Sequence, residues 1–249
     1  MNREIAGLDE VSRDARFHVE IRNLHKAYGS RVVLDVDSLS LGSAKSYALV
    51  GPNGSGKSTL LKVLSGVIDA TSGSISVSGA VTRDNLSVGY MPQRSYSFGF
   101  SVFRNVSLAL EGSGLSKPEI ERRVNDALDA VGMSDFAAAR GNGLSGGEAQ
   151  RVALARILVR DLDVVLLDEP TASMDIAGTM LVEQALARYR SRTGCLVVTA
   201  THAPSQARRI SDEAIMLSGG RVVESGPTAE MLLHPTSPEG REFLSYWAI

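Results

Sequence analysis

The sequence contains very little cysteine and few aromatic residues. One of its 249 residues is a cysteine, and 5% are aromatic. A single cysteine excludes an internal disulfide framework and is compatible with a reducing compartment. Cys195 begins an apolar run that continues to Val198, so we expect a buried thiol rather than a reactive one.

Long hydrophobic runs and a strong charge of one sign are also missing. No apolar run reaches the ~20 residues that cross a bilayer, and residues 1–16 are charged and lack the apolar centre of a signal peptide. The formal net charge of −2 does not favour a general nucleic-acid binder. We therefore expect a loose lead-in at 1–16 and no nucleic-acid partner, and any connection to a membrane must come through another chain.

A glycine-rich loop follows the apolar stretch 47–50 and precedes the helix-forming stretch 60–64. In this strand–loop–helix context, the pattern G-x-x-x-x-G-K-[ST] binds a nucleoside triphosphate. The glycines let successive backbone N–H groups turn inward around phosphate oxygens, and the helix N-terminus adds further donors. Lys57 can reach the β- and γ-phosphates, and the Ser58 hydroxyl can ligate Mg²⁺. The predicted phosphate-binding residues are Gly51, Pro52, Asn53, Gly54, Ser55, Gly56, Lys57, Ser58 and Thr59.

Two acidic residues end a second apolar run. The four apolar residues 164–167 are typical of a strand buried on both faces, which places Asp168 and Glu169 at its carboxyl end. In open α/β sheets, ligands bind at that edge. Asp168 is then positioned to hold Mg²⁺, and Glu169 could accept a proton from an attacking water. The alternative is a pair of solvated acids that close a strand, which the phosphate loop upstream disfavours.

Strands and helices alternate over most of the chain. Strand-like stretches surround one helix in the first third, a mostly helical region follows, and alternation resumes at about residue 163. Such alternation favours a parallel sheet that is covered on both faces. The sequence thus predicts an α/β fold in one domain over 17–234. We expect a helical subdomain inserted at about 94–160 and a short tail at 235–249.

A third motif indicates the family that the sequence resembles. Residues 144–151, Leu-Ser-Gly-Gly-Glu-Ala-Gln-Arg, resemble the signature motif of the ATP-binding subunits of ABC (ATP-binding cassette) transporters. Together with the phosphate loop and the acidic strand, in this order, the motif extends the resemblance over about residues 17–226. The resemblance implies a P-loop NTPase fold of the ABC ATPase type, with an N-terminal antiparallel β portion, an inserted α-helical subdomain, and ATP and Mg²⁺ as ligands. Glu148 and Met174 depart from the family's usual residues, but neither removes a group that the chemistry needs.

The resemblance also implies roles within the chain's own nucleotide site. Tyr28 matches the aromatic residue that stacks on adenine, Gln93 the glutamine that touches Mg²⁺ and the water, and His202 the histidine that contacts the γ-phosphate. Glu169 matches the general base. Without the resemblance, Tyr28 could be an ordinary turn aromatic and His202 a residue that ends a strand, and Gln93 alone would indicate nothing.

Other residues are expected to act on the nucleotide of a partner subunit. Ser145, Gly146 and Gly147 precede a helix and so form a second anion-binding N-terminus. A helix in the inserted lobe is not expected to reach the chain's own phosphate loop, which favours a dimer. The resemblance implies that Ser145 and Gly147 close over the γ-phosphate of the partner, a second copy or a paralogue. Asp175 matches the loop that crosses the dimer interface.

The four letters Leu-Ser-Gly-Gly recur at 217–220. This second copy lies between two apolar, strand-like runs and has no helix after it to supply a dipole. The pattern therefore predicts a hairpin turn at Gly219 and Gly220 rather than a phosphate site.

Two functions remain open. The first is the ATP-hydrolysing motor of an ABC transporter, in which a cytoplasmic dimer docks on transmembrane permease subunits at the inner face of the cell membrane. A separate cassette resembles importer organisation, and the 23 residues after Gly226 are too few for the regulatory domain of sugar-type importers. We therefore expect an amino acid, a metal or an oxyanion as substrate. Three aromatic residues in the region 94–105 are suited to form a groove that binds a helix of the permease. The alternative is that they pack inside the helical lobe. The second function is a soluble ABC ATPase of the iron–sulfur cluster assembly type.

Overall fold

The computed structural model describes residues 16–247. The lead-in predicted at 1–16 therefore lies, apart from Arg16, outside the described residues. Backbone contacts group the chain into two units. One unit contains the described residues up to Tyr90, the short segment Asp163–Asp168, and the chain from Gly194 onward. The other, Met91–Leu162 with Glu169–Thr193, is mostly helical.

The described residues form two β-sheets. A three-stranded antiparallel sheet has the order β2-β1-β4, and a six-stranded sheet has the order β5-β6-β7-β3-β8-β9. In the larger sheet β6, β7, β3 and β8 run parallel, while β9 pairs antiparallel with β8. This arrangement confirms the predicted fold class. The strands are β1 Phe17–Tyr28, β2 Arg31–Gly42, β3 Ser46–Val50, β4 Ser72–Gly79, β5 Val88–Met91, β6 Val164–Asp168, β7 Leu196–Ala200, β8 Glu213–Ser218 and β9 Arg221–Pro227.

Burial explains why the central strands read as continuous apolar runs. Every residue of β3, β6 and β7 is buried, as is usual for parallel strands covered on both faces. In contrast, the first residues of β1 alternate, and Phe17, Val19 and Ile21 face the core. These side chains pack with residues from β3, β6 and β7 into the main hydrophobic core. The carboxyl ends of β3, β6 and β7 lie at one edge of the sheet, where the candidate site is built.

Helices cover the sheet and make up most of the second unit. In the first unit, α1 packs against β2, β6 and β7, and α6 packs against β3. In the second unit, α2, α3, α4 and α5 pack against one another. Within residues 16–247, no helix combines the length and the apolar character needed to cross a membrane. The helices are α1 Lys57–Leu64, α2 Val102–Ser107, α3 Lys117–Ala130, α4 Gly146–Leu158, α5 Ile176–Thr193, α6 Pro204–Ile210, α7 Thr228–Leu233 and α8 Pro238–Ser245.

Two features of the helical part differ from the sequence interpretation. The helix that follows β6, Ile176–Thr193, belongs to the helical unit, whereas its position in the strand–helix alternation suggested a layer on the sheet. Its first turns carry the exposed apolar side chains Ile176 and Met180. The predicted tail at 235–249 contains the short helix Pro238–Ser245, which the sequence interpretation did not include.

The repeated Leu-Ser-Gly-Gly letters form a hairpin turn, as predicted. Ser218 pairs with Arg221 across the antiparallel strands β8 and β9. Gly219 and Gly220 between them have φ values of 55° and 84°, which suit a tight two-residue turn. A Cβ at Gly220 would lie 2.6 Å from the carbonyl oxygen of Val33, so the turn needs glycine for space as well as for conformation.

Candidate active site

The phosphate loop joins the buried strand β3 to helix α1. Gly51 has φ 141°, and a Cβ there would lie 2.1 Å from the carbonyl oxygen of Leu217. Gly56 has φ 107°, and a Cβ there would lie 2.7 Å from a methyl carbon of Leu34. Only glycine fits at these two positions, because the loop backbone passes close to β8 at Gly51 and close to β2 at Gly56.

The loop has the donors that a triphosphate needs. Helix α1 begins at Lys57 with no acidic residue in its first turn and no side-chain cap on its N-terminus. Lys57 is buried, and its Nζ donates hydrogen bonds to the carbonyl oxygens of Gly51 at 2.7 Å and Pro52 at 3.0 Å. Ser55 Oγ is buried and has no hydrogen-bond partner among the described residues. A buried cation, a bare helix N-terminus and an unsatisfied hydroxyl together fit bound phosphate oxygens.

Of the three residues predicted to contact Mg²⁺, Ser58 and Asp168 belong to adjacent elements of the first unit, and Gln93 belongs to the second unit. Ser58 lies in the first turn of α1, and Asp168 is the buried last residue of β6, the strand on which α1 packs. Burial, with the charge of Asp168 as a second cause, raises the pKa of the Tyr90 hydroxyl to about 12. No group of three His, Cys, Asp or Glu side chains among residues 16–247 could hold a metal. A hydroxyl and a carboxylate beside a phosphate site are nonetheless the oxygen donors that Mg²⁺ takes when phosphates complete its shell.

Glu169, which directly follows the last residue of β6, has an unusual backbone conformation. Glu169 has φ 48°, a rare conformation for a residue with a side chain. Its Oε2 accepts a hydrogen bond of 3.3 Å from Gln93 Nε2. The structure thus brings together the two residues that the sequence assigned to the water and its proton. A left-handed residue at this position carries strain, which is often retained at functional sites.

Gln150 is a site residue that the sequence interpretation missed. Its amide is buried in α4, where Oε1 accepts a hydrogen bond of 3.0 Å from the backbone N–H of Ser173. Nε2 lies 3.5 Å from the carbonyl oxygen of Glu169. Gln150 therefore ties the signature helix to the segment between Glu169 and Ser173. Helical spacing from Leu154 and Ile157 was the available signal, because it places this glutamine on the buried face.

The signature motif forms a capping box at the start of α4. Ser145 Oγ and Ser145 N–H both donate to Glu148 Oε2 at 2.8 Å, and Glu148 N–H donates to Ser145 Oγ at 3.4 Å. These hydrogen bonds lower the pKa of Glu148, the backbone N–H of Ser145 having the largest effect. The box fixes the N-terminus of α4, so that its donors stay aimed in one direction.

An open cavity of about 500 Å³ lies in front of this N-terminus. The structure brings four predicted residues to its wall, although Asp175 is distant from the others in sequence. Asp175 Oδ1 accepts a 2.7 Å hydrogen bond from the backbone N–H of Gly178, at the start of α5. The four predicted residues are Ser145, Gly146, Gly147 and Asp175.

Tyr28 and His202 occupy exposed ends of two strands. Tyr28 ends β1, and Lys26 Nζ lies 5.0 Å from the centre of its ring. An exposed aromatic face at a strand end is available for stacking. His202 follows β7 at the carboxyl edge of the sheet. Its ring lies 6.1 Å from that of Trp247, a contact that nothing in the sequence pattern indicated.

Comparison with known proteins identifies the family. A family model described as "ABC transporter" matches residues 34–172, which is more than half of the chain. The chain belongs to the ABC transporter family. Members of this family hydrolyse ATP in a process coupled to transport, and this chain is an ABC-type ATP hydrolase.

Several relatives of this ABC ATPase align along most of its length. The tungstate uptake system ATP-binding protein TupC of Peptoclostridium acidaminophilum is 37% identical, over 83% of this chain and 97% of the relative. The phosphate import ATP-binding protein PstB 2 of Natronomonas pharaonis is 35% identical, over 90% and 85%. The phosphonates import ATP-binding protein PhnC of Maricaulis maris is 36% identical, over 86% and 89%.

A solved structure shares the fold of this ABC ATPase. It shows an ATP-binding cassette as a dimer in a post-hydrolysis state, bound to ADP and Pi. It superimposes with a TM-score of 0.76 and 26% identity, and it covers 84% of this chain and 98% of its own. The match confirms the predicted fold, and it agrees with the prediction that the nucleotide is an adenine nucleotide. The roles given above to individual residues stay predictions.

Proposed function

We propose that this chain is the ATP-hydrolysing motor subunit of an importer whose substrate is a small tetrahedral oxyanion. The relatives described above serve uptake of tungstate, phosphate and phosphonates. Tungstate and phosphate are tetrahedral oxyanions, and phosphonates carry a tetrahedral anionic PO₃ group, so these relatives favour the oxyanion among the three substrate classes that the sequence left open. Because these relatives are import proteins, they favour transport over iron–sulfur cluster assembly. This similarity along nearly the whole chain is the observation that carries the proposal.

In the proposed reaction, each part of the site has one role. Lys57 and the N-terminus of α1 bind the phosphates, and Ser58 and Asp168 would hold Mg²⁺, which neutralises phosphate charge. Glu169 accepts a proton from the attacking water, and its hydrogen bond to Gln93 orients its carboxylate. Tyr28 stacks on the adenine ring, and His202 contacts the γ-phosphate.

We propose that the second half of the site comes from a second ABC ATPase subunit. The cavity in front of α4 is open and lined by the backbone of Gly146 and Gly147, as suits an anion presented by another chain. Next to it, Ile176 is 83% exposed and Met180 is 53% exposed, so apolar surface at the start of α5 is available for burial. The solved relative in this fold is itself dimeric. Each subunit then supplies Ser145 and Asp175 to its partner's nucleotide.

The proposed permease contact is an aromatic surface formed by Tyr96, Phe98 and Phe100. Their side chains are 74%, 53% and 53% exposed, although the rings of Phe98 and Phe100 touch at 6.0 Å. The sequence left open whether they pack inside the lobe. Their exposure favours a docking role, because aromatic side chains exposed together mark interaction sites.

Buried polar groups hold the backbone under this aromatic surface. Asn105 is fully buried, and its Oδ1 accepts a 2.8 Å hydrogen bond from the N–H of Phe98. Its Nδ2 donates to the carbonyl oxygens of Phe98 at 3.0 Å and Phe100 at 3.3 Å. Arg156 lies 5.6 Å from the centre of the Phe98 ring and donates to the carbonyl oxygen of Tyr96. The loop is thus fixed from beneath while its rings point outward, as a docking surface requires.

Purification from membranes tests the proposal. The tagged chain, expressed in its source organism, should copurify from detergent-solubilised membranes with a permease, to be identified by mass spectrometry. A deletion strain should lose uptake of molybdate, tungstate, phosphate or phosphonate, and the wild-type gene should restore it. Recovery of the chain without any membrane subunit would contradict the transport function. Loss of amino-acid or metal uptake instead would contradict only the substrate class.

Docking can be tested separately with a double variant. Replacing Tyr96 and Phe98 with Ser should abolish copurification with the permease and leave the basal ATP hydrolysis of the isolated chain unchanged. The matched control replaces Phe136, an aromatic residue of the same unit that is 37% exposed, with Ser. If both variants copurify equally well, the aromatic surface is not the permease contact.

A further inference from the structure

The only tryptophan of the chain contacts His202. The centroid of the Trp247 ring lies 6.1 Å from that of His202, with the ring planes tilted by 42°. The Trp247 ring also lies 6.4 Å from the Phe243 ring, with the ring planes tilted by 51°. The Trp247 side chain is 38% exposed, so most of its surface is covered. Aromatic pairs at such distances and tilts attract each other beyond their burial.

The helix before Trp247 is anchored at both ends. Leu244 of α8 is buried in the second hydrophobic core, and Phe243 packs against the same core. At the other end Glu224 on β9 accepts four hydrogen bonds of 2.7 to 3.0 Å, from the N–H and hydroxyl groups of Thr236 and Ser237. The N–H of Trp247 then donates to the carbonyl oxygen of Leu244 at 3.0 Å. The indole therefore occupies a position fixed by the sheet and the core.

Hydrogen bonds of Thr201 hold the backbone around His202. Thr201 is buried between β7 and α6, where its Oγ1 donates to Gln206 Oε1 at 2.8 Å and accepts from the N–H of Ala203 at 3.1 Å. These bonds fix the backbone on both sides of His202. The imidazole itself is exposed. The indole of Trp247 occupies space beside the imidazole and so restricts the rotamers that the imidazole can adopt.

We propose that Trp247 is a positioning residue for ATP hydrolysis, which acts by holding the imidazole of His202 in the orientation that contacts the γ-phosphate. This inference rests on the proposed function, in which His202 makes that contact. Trp247 touches His202 and need not touch the nucleotide. The C-terminal helix α8 thereby contributes to catalysis by holding Trp247 in place, and the hydrogen bonds of Glu224 attach the start of this helix to the sheet.

Steady-state kinetics test this role with three variants. Trp247→Ala should lower kcat about tenfold and change KM less than about twofold, because a small misplacement of one catalytic contact affects the transition state most. Trp247→Phe keeps an aromatic ring and should restore most of the rate. The control is Tyr246→Ala, since Tyr246 is 78% exposed; it should hydrolyse ATP at the wild-type rate. Wild-type kcat in Trp247→Ala, or an equal loss in Tyr246→Ala, would overturn the inference.

Tryptophan fluorescence shows whether a negative result contradicts the contact between Trp247 and His202 or the catalytic role of His202. The chain has one tryptophan, so its emission reports Trp247 alone. His202→Ala uncovers the indole and should shift the emission to longer wavelength without nucleotide, while Ser205→Ala, on the exposed side of α6, should not. An unchanged spectrum in His202→Ala would refute the contact. A shifted spectrum with wild-type hydrolysis in His202→Ala would instead refute the role of His202 in the proposed function.

Discussion

Gln93 Nε2 donates a hydrogen bond to Glu169 Oε2 across 3.3 Å, and this pair leads to the first prediction. Glu169→Gln keeps the shape of the side chain but cannot accept a proton from water. ATP hydrolysis should fall by at least about 100-fold, while ATP affinity stays within about twofold. Phosphate release and equilibrium nucleotide binding measure the two quantities.

The same variant also tests the dimer, because unhydrolysed ATP should hold two subunits together. Size-exclusion chromatography with ATP and Mg²⁺ should show a dimer for Glu169→Gln and monomer after nucleotide removal. Glu121→Gln, on the exposed face of α3, is the control and should behave as wild type. Wild-type turnover in Glu169→Gln would show that another group is the base.

Lys57 supplies the charge of the phosphate loop. Its Nζ donates hydrogen bonds to the carbonyl oxygens of Gly51 and Pro52, the first two residues of the loop. Lys57→Ala removes this charge and should weaken ATP binding by at least about 100-fold, as expected for a buried, charge-assisted contact. Calorimetric titration measures the affinity. Lys62→Ala, on the last turn of α1, changes the net charge equally and should bind ATP normally; equal affinities in the two variants would refute the phosphate-loop assignment.

Replacing Gln150 should change the thermal stability of the protein rather than its chemistry. Gln150→Leu keeps the volume but leaves the N–H of Ser173 without its 3.0 Å partner. This hydrogen bond is only partly buried and Ser173 is exposed, so its loss should cost about 1 kcal/mol and lower Tm by about 2–4 °C. Differential scanning calorimetry measures the change, with Gln184→Leu on the exposed part of α5 as the control. An unchanged Tm would mean that Ser173 finds another acceptor.

Much of the fold was predictable because its signals are local. The glycines of the phosphate loop, the continuous apolar runs of β3 and β6, and the Gly219–Gly220 turn are each set by a few consecutive residues. The position of α5 in the helical unit was not predictable from alternation, since it depends on packing against α3 and α4. Local sequence patterns therefore identify a helix or strand more reliably than they identify the elements against which it packs.

In the candidate site, too, the local motifs were predictable and the contacts between residues distant in sequence were not. The phosphate loop and the signature motif are contiguous, so their residues were found together. The contacts of Gln150 with Ser173 and of Trp247 with His202 join residues 23 and 45 positions apart. A single sequence carries no record of such pairs. Gln150 could still have been found from its place on an apolar helix face, whereas nothing in the sequence pairs Trp247 with His202.

The buried hydroxyl of Tyr90 should lower the stability of the fold by a measurable amount. Its Oη is buried and has no hydrogen-bond partner among the described residues, and burial together with the charge of Asp168 raises its pKa to about 12. Tyr90→Phe removes an unsatisfied polar group and should raise the stability of the nucleotide-free protein by about 1 kcal/mol. Thermal unfolding checks this, with the exposed Tyr96→Phe as the control. A lower Tm in Tyr90→Phe would reveal a partner for the hydroxyl, such as a bound water.

Glu224 makes the stability of the C-terminal helix depend on pH. Burial raises the pKa of this carboxyl, but the hydrogen bonds from Thr236 and Ser237 together outweigh it, so the folded-state pKa lies below the ordinary value of 4.5. A lowered folded pKa means that the fold favours the charged form. The stabilisation is therefore complete above pH 4.5 and is lost as the pH falls through the folded pKa.

Glu224→Gln tests this dependence, because its NH₂ group would face the donors of Thr236 and Ser237. At pH 7 the variant should lose about 1–2 kcal/mol of stability relative to the wild type, and the two proteins should converge as the pH falls through the lowered folded-state pKa of Glu224, where the wild-type carboxyl becomes protonated. Thermal unfolding across this range measures the difference, and Glu230→Gln on α7 should show no such convergence. A difference that stays constant as the pH falls from neutral through the folded-state pKa of Glu224 would show that the charge of Glu224 does not stabilise α8. In that case, the position of Trp247 would depend on the apolar packing of Phe243 and Leu244 alone.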